Sequence, residues 1–389
     1  MKYVILALTA TATLSLLAPP ARASQLNTGG ETDLYHASFC PLLAAQLKLA
    51  QFDYRCTPST GTRENMDRVR ANPRQLGYGQ LDVFAFETRQ AKAESALTIM
   101  RQDDVRECLF AVTRNKQITN WGELTDYAGS LRFILPPAAS GSAGTFRFLQ
   151  TVDTSGLGRA KSVTHAASTE DAIRQALSAD DTVSLFVQYA DPDSPSFELV
   201  RAQGGHVVPV IDRALLRQEL GGKKIFFAQE VEIESAGWIK SARKVATACA
   251  PQVIFTGHPD RVEGEQARKD HEDLIRTVAA LKPAVLLPEA SFLQHALRRT
   301  KELSASSTER VLELTEEARA KAIPYADKAM EKAHEVGDQA KRAAERAAET
   351  AKPYVDKARE AAQKAYEEAV RLSKELADKS KSDPPAKKD

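Results

Sequence analysis

KKIFFAQEVEIESAGWIKSARKVATACAPQVIFTG, residues 223–257, is the stretch that decides the fold. Val231 and Ile233 alternate with polar neighbours, as a half-buried strand requires, and a second, more apolar strand follows around Val253 to Phe255. The segment comes after two separate series of strand, loop and helix. A chain that builds one α/β domain, builds another and then returns to the first must join the two by crossing strands.

The first series opens with QLNTGGETDLYHASFCPLLAAQLKLA (25–50), a short strand, a Thr-Gly-Gly turn and a helix with Leu42, Leu43, Leu47 and Leu49 on its apolar side. FDYRCTPSTGTRENMDRVRANP (52–73) repeats the pattern, and LDVFAFETR (81–89) reads as a buried strand or a brief helix. The second series begins at ECLFAVTRN, with a strand at 107–113, a helix start at Trp121 and a strand at 131–135. A helix near 145–152 and VSLFVQYADP (183–192) complete it. Such βαβ alternation predicts mainly parallel sheets covered by helices.

LPPAASGSAGTFRFLQ (135–150) joins an apolar strand to a helix through a loop of small residues. Ser140, Ser142 and Thr145 offer hydroxyls beside the free N–H groups of a helix start, and Gly141 and Gly144 admit close backbone approach, a corner suited to an anionic group. It is no phosphate-transfer loop, because Thr145 follows Gly144 with no lysine between. Nor is it a nucleophile elbow, which needs glycine two places before the serine where this chain has Ser140. Without a nucleophile–base pair or a metal cluster, the chain reads as a non-enzyme with no call for a cofactor or metal.

Residues 1–23 carry Lys2, a short apolar core, Pro19, Pro20 and an Ala-Arg-Ala ending, the pattern of a cleavable signal peptide that directs the product to the periplasm. Export makes Cys40, Cys56, Cys108 and Cys249 readable as disulfide partners, with three connectivities open. Cys40 with Cys56 and Cys108 with Cys249 is the favoured pairing. The first joins a helix start to the end of the next strand, and the second bridges two strands far apart in sequence. The seven histidines are scattered without helical metal spacing, and a formal net charge of +1 gives no reason to expect nucleic acid.

NTGGETDLY (27–35), PSTGTRENM (58–66), GQLDVFAF (79–86) and AASGSAGTFRFL (138–149), in this order, resemble the type II periplasmic solute-binding proteins. Within that class the chain is similar to the TAXI group that serves TRAP transporters, over roughly residues 25–300. The resemblance implies a two-lobed α/β fold with hinge strands: lobe I from 24–104 and 256–300, lobe II from 105–255. It places Thr28, Gly29, Gly30, Ser59, Thr60, Gly61, Gln80, Asp82, Ser142, Gly144 and Thr145 around an interlobe cleft, with Gln188 and Tyr189 closing its far side. Arg63 and Arg147 could pair a ligand carboxylate. The implied function is capture of a small polar or anionic organic ligand for a TRAP-type or ABC-type membrane transporter. A periplasmic sensor or adaptor and a lipid carrier are the rivals.

From 301 to 379 the composition shifts to Ala, Glu, Lys and Arg, the signature of a long helix or coiled coil, ending in a disordered 380–389. PYADKA (324–329) recurs as PYVDKA (353–358), a step of 29 residues, which is about eight turns at ~3.6 residues each. Its apolar stripe is mostly alanine, so a spacer, a partner-docking helix or a weak lipid-surface helix is expected.

Overall fold

A computed structural model of the chain describes residues 23–91, 96–237, 241–287 and 301–317, with 342, 346 and 349 as single positions. Residues Met1–Lys321 form one compact unit and Ala322–Asp389 another. The expected signal peptide, save Ala23, and the Pro-Tyr repeats of the tail lie outside the described residues.

The first half contains β1 (Ser24–Asn27), α1 (Cys40–Leu49), β2 (Tyr54–Thr57), α2 (Thr62–Ala71), β3 (Leu76–Gln80), α3 (Leu81–Gln90) and the 17-residue β4 (Leu97–Thr113). Then come α4 (Trp121–Tyr127), β5 (Arg132–Leu135), α5 (Gly141–Val152), β6 (Ser162–His165), α6 (Thr169–Ala176), β7 (Thr182–Gln188), α7 (Pro195–Ala202) and β8 (His206–Val208). The return path is α8 (Arg213–Leu216), a hairpin of β9 (Glu219–Leu220) and β10 (Lys223–Lys224), β11 (Phe227–Glu234), the 15-residue β12 (Arg243–Gly257), α9 (Glu265–Ala280) and β13 (Lys301–Glu302).

The strand order β2-β1-β3-β12-β4-β7-β5-β6 holds two lobes. In lobe I, β2, β1 and β3 are parallel and β12 joins antiparallel through Gln252–Thr256. In lobe II, β6, β5 and β7 are parallel, and β4 pairs antiparallel with β7 through Cys108–Val112. β4 and β12 belong to both lobes. At about 3.4 Å per residue a 17-residue strand is long enough to reach across both. Their mutual register shifts between Pro251 and Val253 and again between Ile254 and Phe255, where the lobes meet. Proline donates no ladder bond, which suits such an irregularity. The fold is thus the expected two-lobed α/β architecture with crossing hinge strands.

α1 and α9 pack on one face of lobe I through Leu43, Leu47, Leu274 and Val278. α6 and α7 cover one face of lobe II with Ile173, Phe197 and Val200 against Phe110 and Phe186. The largest core is continuous between lobes, running from Met66, Leu81 and Phe84 to Phe133, Phe146 and Val183. Both expected disulfides are present. Cys40 at the start of α1 meets Cys56 in β2 with Cα atoms 5.9 Å apart, and Cys108 of β4 faces Cys249 of β12 directly.

Two local readings are corrected. Of the two readings of LDVFAFETR the strand is set aside and the helix holds: the stretch is most of the ten-residue α3, with Leu81, Phe84, Ala85 and Thr88 buried at helical spacing. The strand is the preceding LGYGQ, whose glycines disguise it. A Cβ at Gly77 would lie 2.5 Å from the Phe255 ring, so the small residue makes room for the neighbouring strand. α5 begins at Gly141, four residues before the expected helix, because Ser140 caps it by accepting the Ala143 N–H at 3.3 Å.

The Ala/Glu/Lys-rich region starts within the compact unit. β13 pairs with Gln229 and Glu230 of β11, and helix 305–317 buries Leu312 against Ile211 and Ala228. Arg213 of α8 reaches Glu309 at 2.5 Å and Glu316 at 2.7 Å.

Candidate ligand-binding cleft

A cleft of about 180 Å³ opens where the C-terminal ends of β1, β2, β3, β5 and β7 converge. It lies where open α/β sheets take their ligands, beyond the carboxyl ends of the strands. Sites for drug-sized molecules run to ~300–1,000 Å³, so this one suits a smaller molecule. Lobe I contributes Thr28, Gly29, Asp33, Tyr35, Thr60, Gly61, Thr62, Asn65, Tyr78 and Gln80; lobe II contributes Ser140, Gly141, Ser142, Thr169 and Val187. Glu107 enters from the crossing strand β4.

The lobe I loops are built by internal hydrogen bonds. Ser59 Oγ donates to the Thr28 carbonyl at 2.6 Å, and Gly61 N–H donates to Ser59 Oγ at 3.1 Å. Asn65 Nδ2 donates to the carbonyls of Thr28 at 2.6 Å and Tyr78 at 2.8 Å, which fixes its amide with Oδ1 buried and unpartnered. Gly61 has a φ of 139°, and a Cβ there would stand 2.8 Å from the Ala139 carbonyl of the facing lobe. Only glycine meets both demands.

Glu107 is the chemical centre. Its Oε2 accepts the Tyr35 hydroxyl at 2.9 Å, and the ring of Tyr35 stacks on Tyr78 with centroids 5.5 Å apart. Burial, followed by the nearby charge of Asp33, pushes the Glu107 carboxyl up to about 8, with hydrogen bonds from Tyr35 and Gln80 pulling the other way. Asp33 is likewise raised by burial, although the Tyr35 and Leu34 N–H groups favour its charged form. No lysine or arginine lines the cleft among the described residues.

Of the residues expected at the site, Thr28, Gly29, Thr60, Gly61, Gln80 and Ser142 line the cleft. Gly30, Ser59, Asp82, Gly144, Thr145, Gln188 and Tyr189 do not. Most of the latter have structural partners. Thr145 Oγ1 donates to Asp82 Oδ2, which joins α5 of lobe II to α3 of lobe I inside the protein. Burial pushes that Asp82 up to about 6, against the Thr145 hydrogen bond. Gly144 lets α5 press against α3, since a Cβ there would be 2.9 Å from a Val83 methyl. Gln188 Nε2 donates to Ser194 Oγ at 3.0 Å and Tyr189 Oη to Gln252 Oε1 at 2.9 Å. Ser142, on the lining, accepts the Val187 N–H at 2.9 Å with its Oγ, which leaves its O–H to donate. Arg63 and Arg147 both turn to Glu87, at 3.8 and 3.3 Å, so neither offers a carboxylate partner within the cleft.

Asp33, Tyr35, Asn65, Tyr78 and Glu107 are the lining residues that sequence reasoning passed over. Asp33, Tyr35 and Asn65 lie inside stretches already singled out for their glycines and hydroxyls. Glu107 carried its own signal, a carboxylate directly before the apolar run Cys108–Val112.

No protein-family model matches the chain, and no curated protein does. Among solved structures it is similar to XAC2383 from Xanthomonas citri bound to ATP, at 11% identity and a TM-score of 0.41, covering 77% of this chain and 98% of that one. It is also similar to PhnD1 from Prochlorococcus marinus in complex with methylphosphonate, at 10% identity and a TM-score of 0.41, covering 76% and 97%. MatC from Rhodopseudomonas palustris with bound malate shows 13% identity and a TM-score of 0.39, covering 78% and 98%. Likeness at this level adds nothing to the strand order already described, and those ligands belong to those proteins.

Proposed function

We propose that this chain is a periplasmic solute-binding receptor that holds one small polar organic ligand between its lobes and presents it to a membrane transporter of TRAP or ABC type. The observation that carries the reading is the polar cleft at the converging strand ends of two lobes joined by two continuous strands. Two lobes hinged in this way can close on a ligand, and a closed form selected by ligand gives a transporter a shape to recognise. The TAXI-like order of the four loop stretches supports the TRAP branch. No helix among the described residues is long and apolar enough to cross a membrane, which fits a receptor working beside its transporter. The signal-peptide pattern of residues 1–23 supports export, with Ser24 as the mature N-terminus.

The test is direct. Protein produced with its own leader in a bacterial periplasm is purified without unfolding, and native mass spectrometry is used to weigh what it carries. A bound small molecule that leaves on denaturation and raises the melting temperature when returned is the expected result. An empty protein whose melting temperature no metabolite shifts would defeat the receptor reading.

A further inference from the structure

We propose that the cleft selects a ligand bearing a protonated amine, seated between Glu107, Asp33 and the unpartnered amide oxygens of Asn65 and Gln80. This rests on the receptor reading and adds the chemical class of its ligand. The starting point is a mismatch in hydrogen-bonding capacity. Asn65 Oδ1 and Gln80 Oε1 are buried without a partner, on side chains 1% and 3% exposed that both line the cleft. Each is an acceptor. Asn65 Nδ2 is committed to two carbonyls, so its oxygen cannot be exchanged for a donor by turning the amide over.

A buried acceptor left unmet is unfavourable, so the missing partner must bring donors. Charge points the same way. Glu107 and Asp33 are the ionisable carboxylates on the lining, and the arginines near the site are occupied: Arg63 and Arg147 by Glu87, Arg101 by Asp103. An ammonium supplies three donors and the single positive charge that two neighbouring carboxylates lack. A free carboxylate or phosphonate would instead meet these acceptors and acids unfavourably, whatever the start of α5 offers on the opposite side.

Proton release follows from the same geometry. The titratable groups facing Glu107 are Asp33 and Tyr35 from the loop and turn after β1, Asp82 from α3 and Tyr189 beyond β7. Burial holds the proton on Glu107 near neutral pH, and an arriving ammonium favours the charged form. The proton leaves to solvent as the ion pair forms, so affinity for the amine rises with pH through the neutral range.

Ethanolamine, γ-aminobutyrate and putrescine are titrated against the full chain by calorimetry at pH 7, beside ethylene glycol, glycolate and succinate. Two buffers of different ionisation enthalpy count protons released. The expected result is binding confined to amines, with proton release and with affinity falling about 10- to 100-fold in Glu107→Gln, as for loss of a charge-assisted hydrogen bond. Asp33→Asn should weaken the same compounds, which keeps the test valid if the first variant folds poorly. Binding of glycolate or succinate without any amine would overturn the ammonium inference and leave the receptor standing. Failure of all six, together with an empty protein from the periplasm, would overturn both.

Discussion

Replacing Glu107 with glutamine keeps the side-chain shape and an oxygen for the Tyr35 hydroxyl, but removes an ionisable group from a site only 8% exposed. In the folded protein the carboxyl is pushed up from 4.5 to about 8, first by burial and then by Asp33. A carboxyl raised in this way binds its proton more tightly folded than unfolded. Its contribution to stability is therefore full below the unfolded value and is lost as pH rises through the folded one. At about 1.36 kcal/mol per pKa unit, the wild type should give up about 4–5 kcal/mol of this contribution between pH 4 and pH 9. The variant has nothing to lose at this position. Urea unfolding followed by tryptophan fluorescence, in non-reducing buffer and without ligand, should give equal pH trends at pH 4–5 and a glutamine variant more stable by several kcal/mol at pH 9. Other groups titrate over this range, so the difference between the two proteins at each pH is the quantity that matters. A difference that stays constant from pH 4 to pH 9 would show that the carboxyl is not held neutral by its surroundings.

Reduction should act on both bridges, with Cys108–Cys249 closing the longer loop, and loss of each should lower stability by about 2–5 kcal/mol, read by calorimetry with and without reductant. Thr145→Ala should lower the melting temperature of the unliganded protein, equivalent to about 1–3 kcal/mol, because it strips buried Asp82 of its hydroxyl donor. A variant that melts like wild type but binds ligand poorly would return Thr145 to the ligand. Leu312→Ala should cost about 2–4 kcal/mol by opening a cavity against Ile211 and Ala228, so a chain cut before residue 305 should be measurably less stable than one cut after 321. Equal stability of the two truncations would mean helix 305–317 contributes nothing to the body.

The architecture was legible because its signals are local or compositional. Ser/Thr/Gly loops recur after short apolar strands, the returning segment 223–257 announces the crossing strands, and an expected export made the cysteine pairing readable. The expected site and the cleft lining differ most where a side chain's partner comes from the other lobe. Gly144 and Thr145 look like ligand contacts in a linear reading, yet Val83 and Asp82 already occupy them. Nothing near residue 145 in sequence reveals that an aspartate 63 positions earlier takes its hydroxyl. Glu107 escaped for the opposite reason. At the edge of an apolar strand a carboxylate resembles a solvent-facing end, and only the three-dimensional approach of Tyr35 and Gln80 turns that edge into an interior.

The position of the Cys108–Cys249 bridge has a mechanical meaning. Cys108 is the residue after Glu107, and the bridge ties β4 to β12 at the lobe II end of their shared run. The two strands therefore move together at that end, as a flexure clamped on one side. Any opening of the lobes has to be taken up beyond the clamp, between Pro251 and Phe255, where the register already shifts twice. Glu107 sits on the fixed side of that bend. Lobe I, with Asp33, Tyr35, Asn65 and Gln80, would then swing toward and away from a stationary carboxylate. Glu107 therefore stays in place while the walls of the cleft around it move.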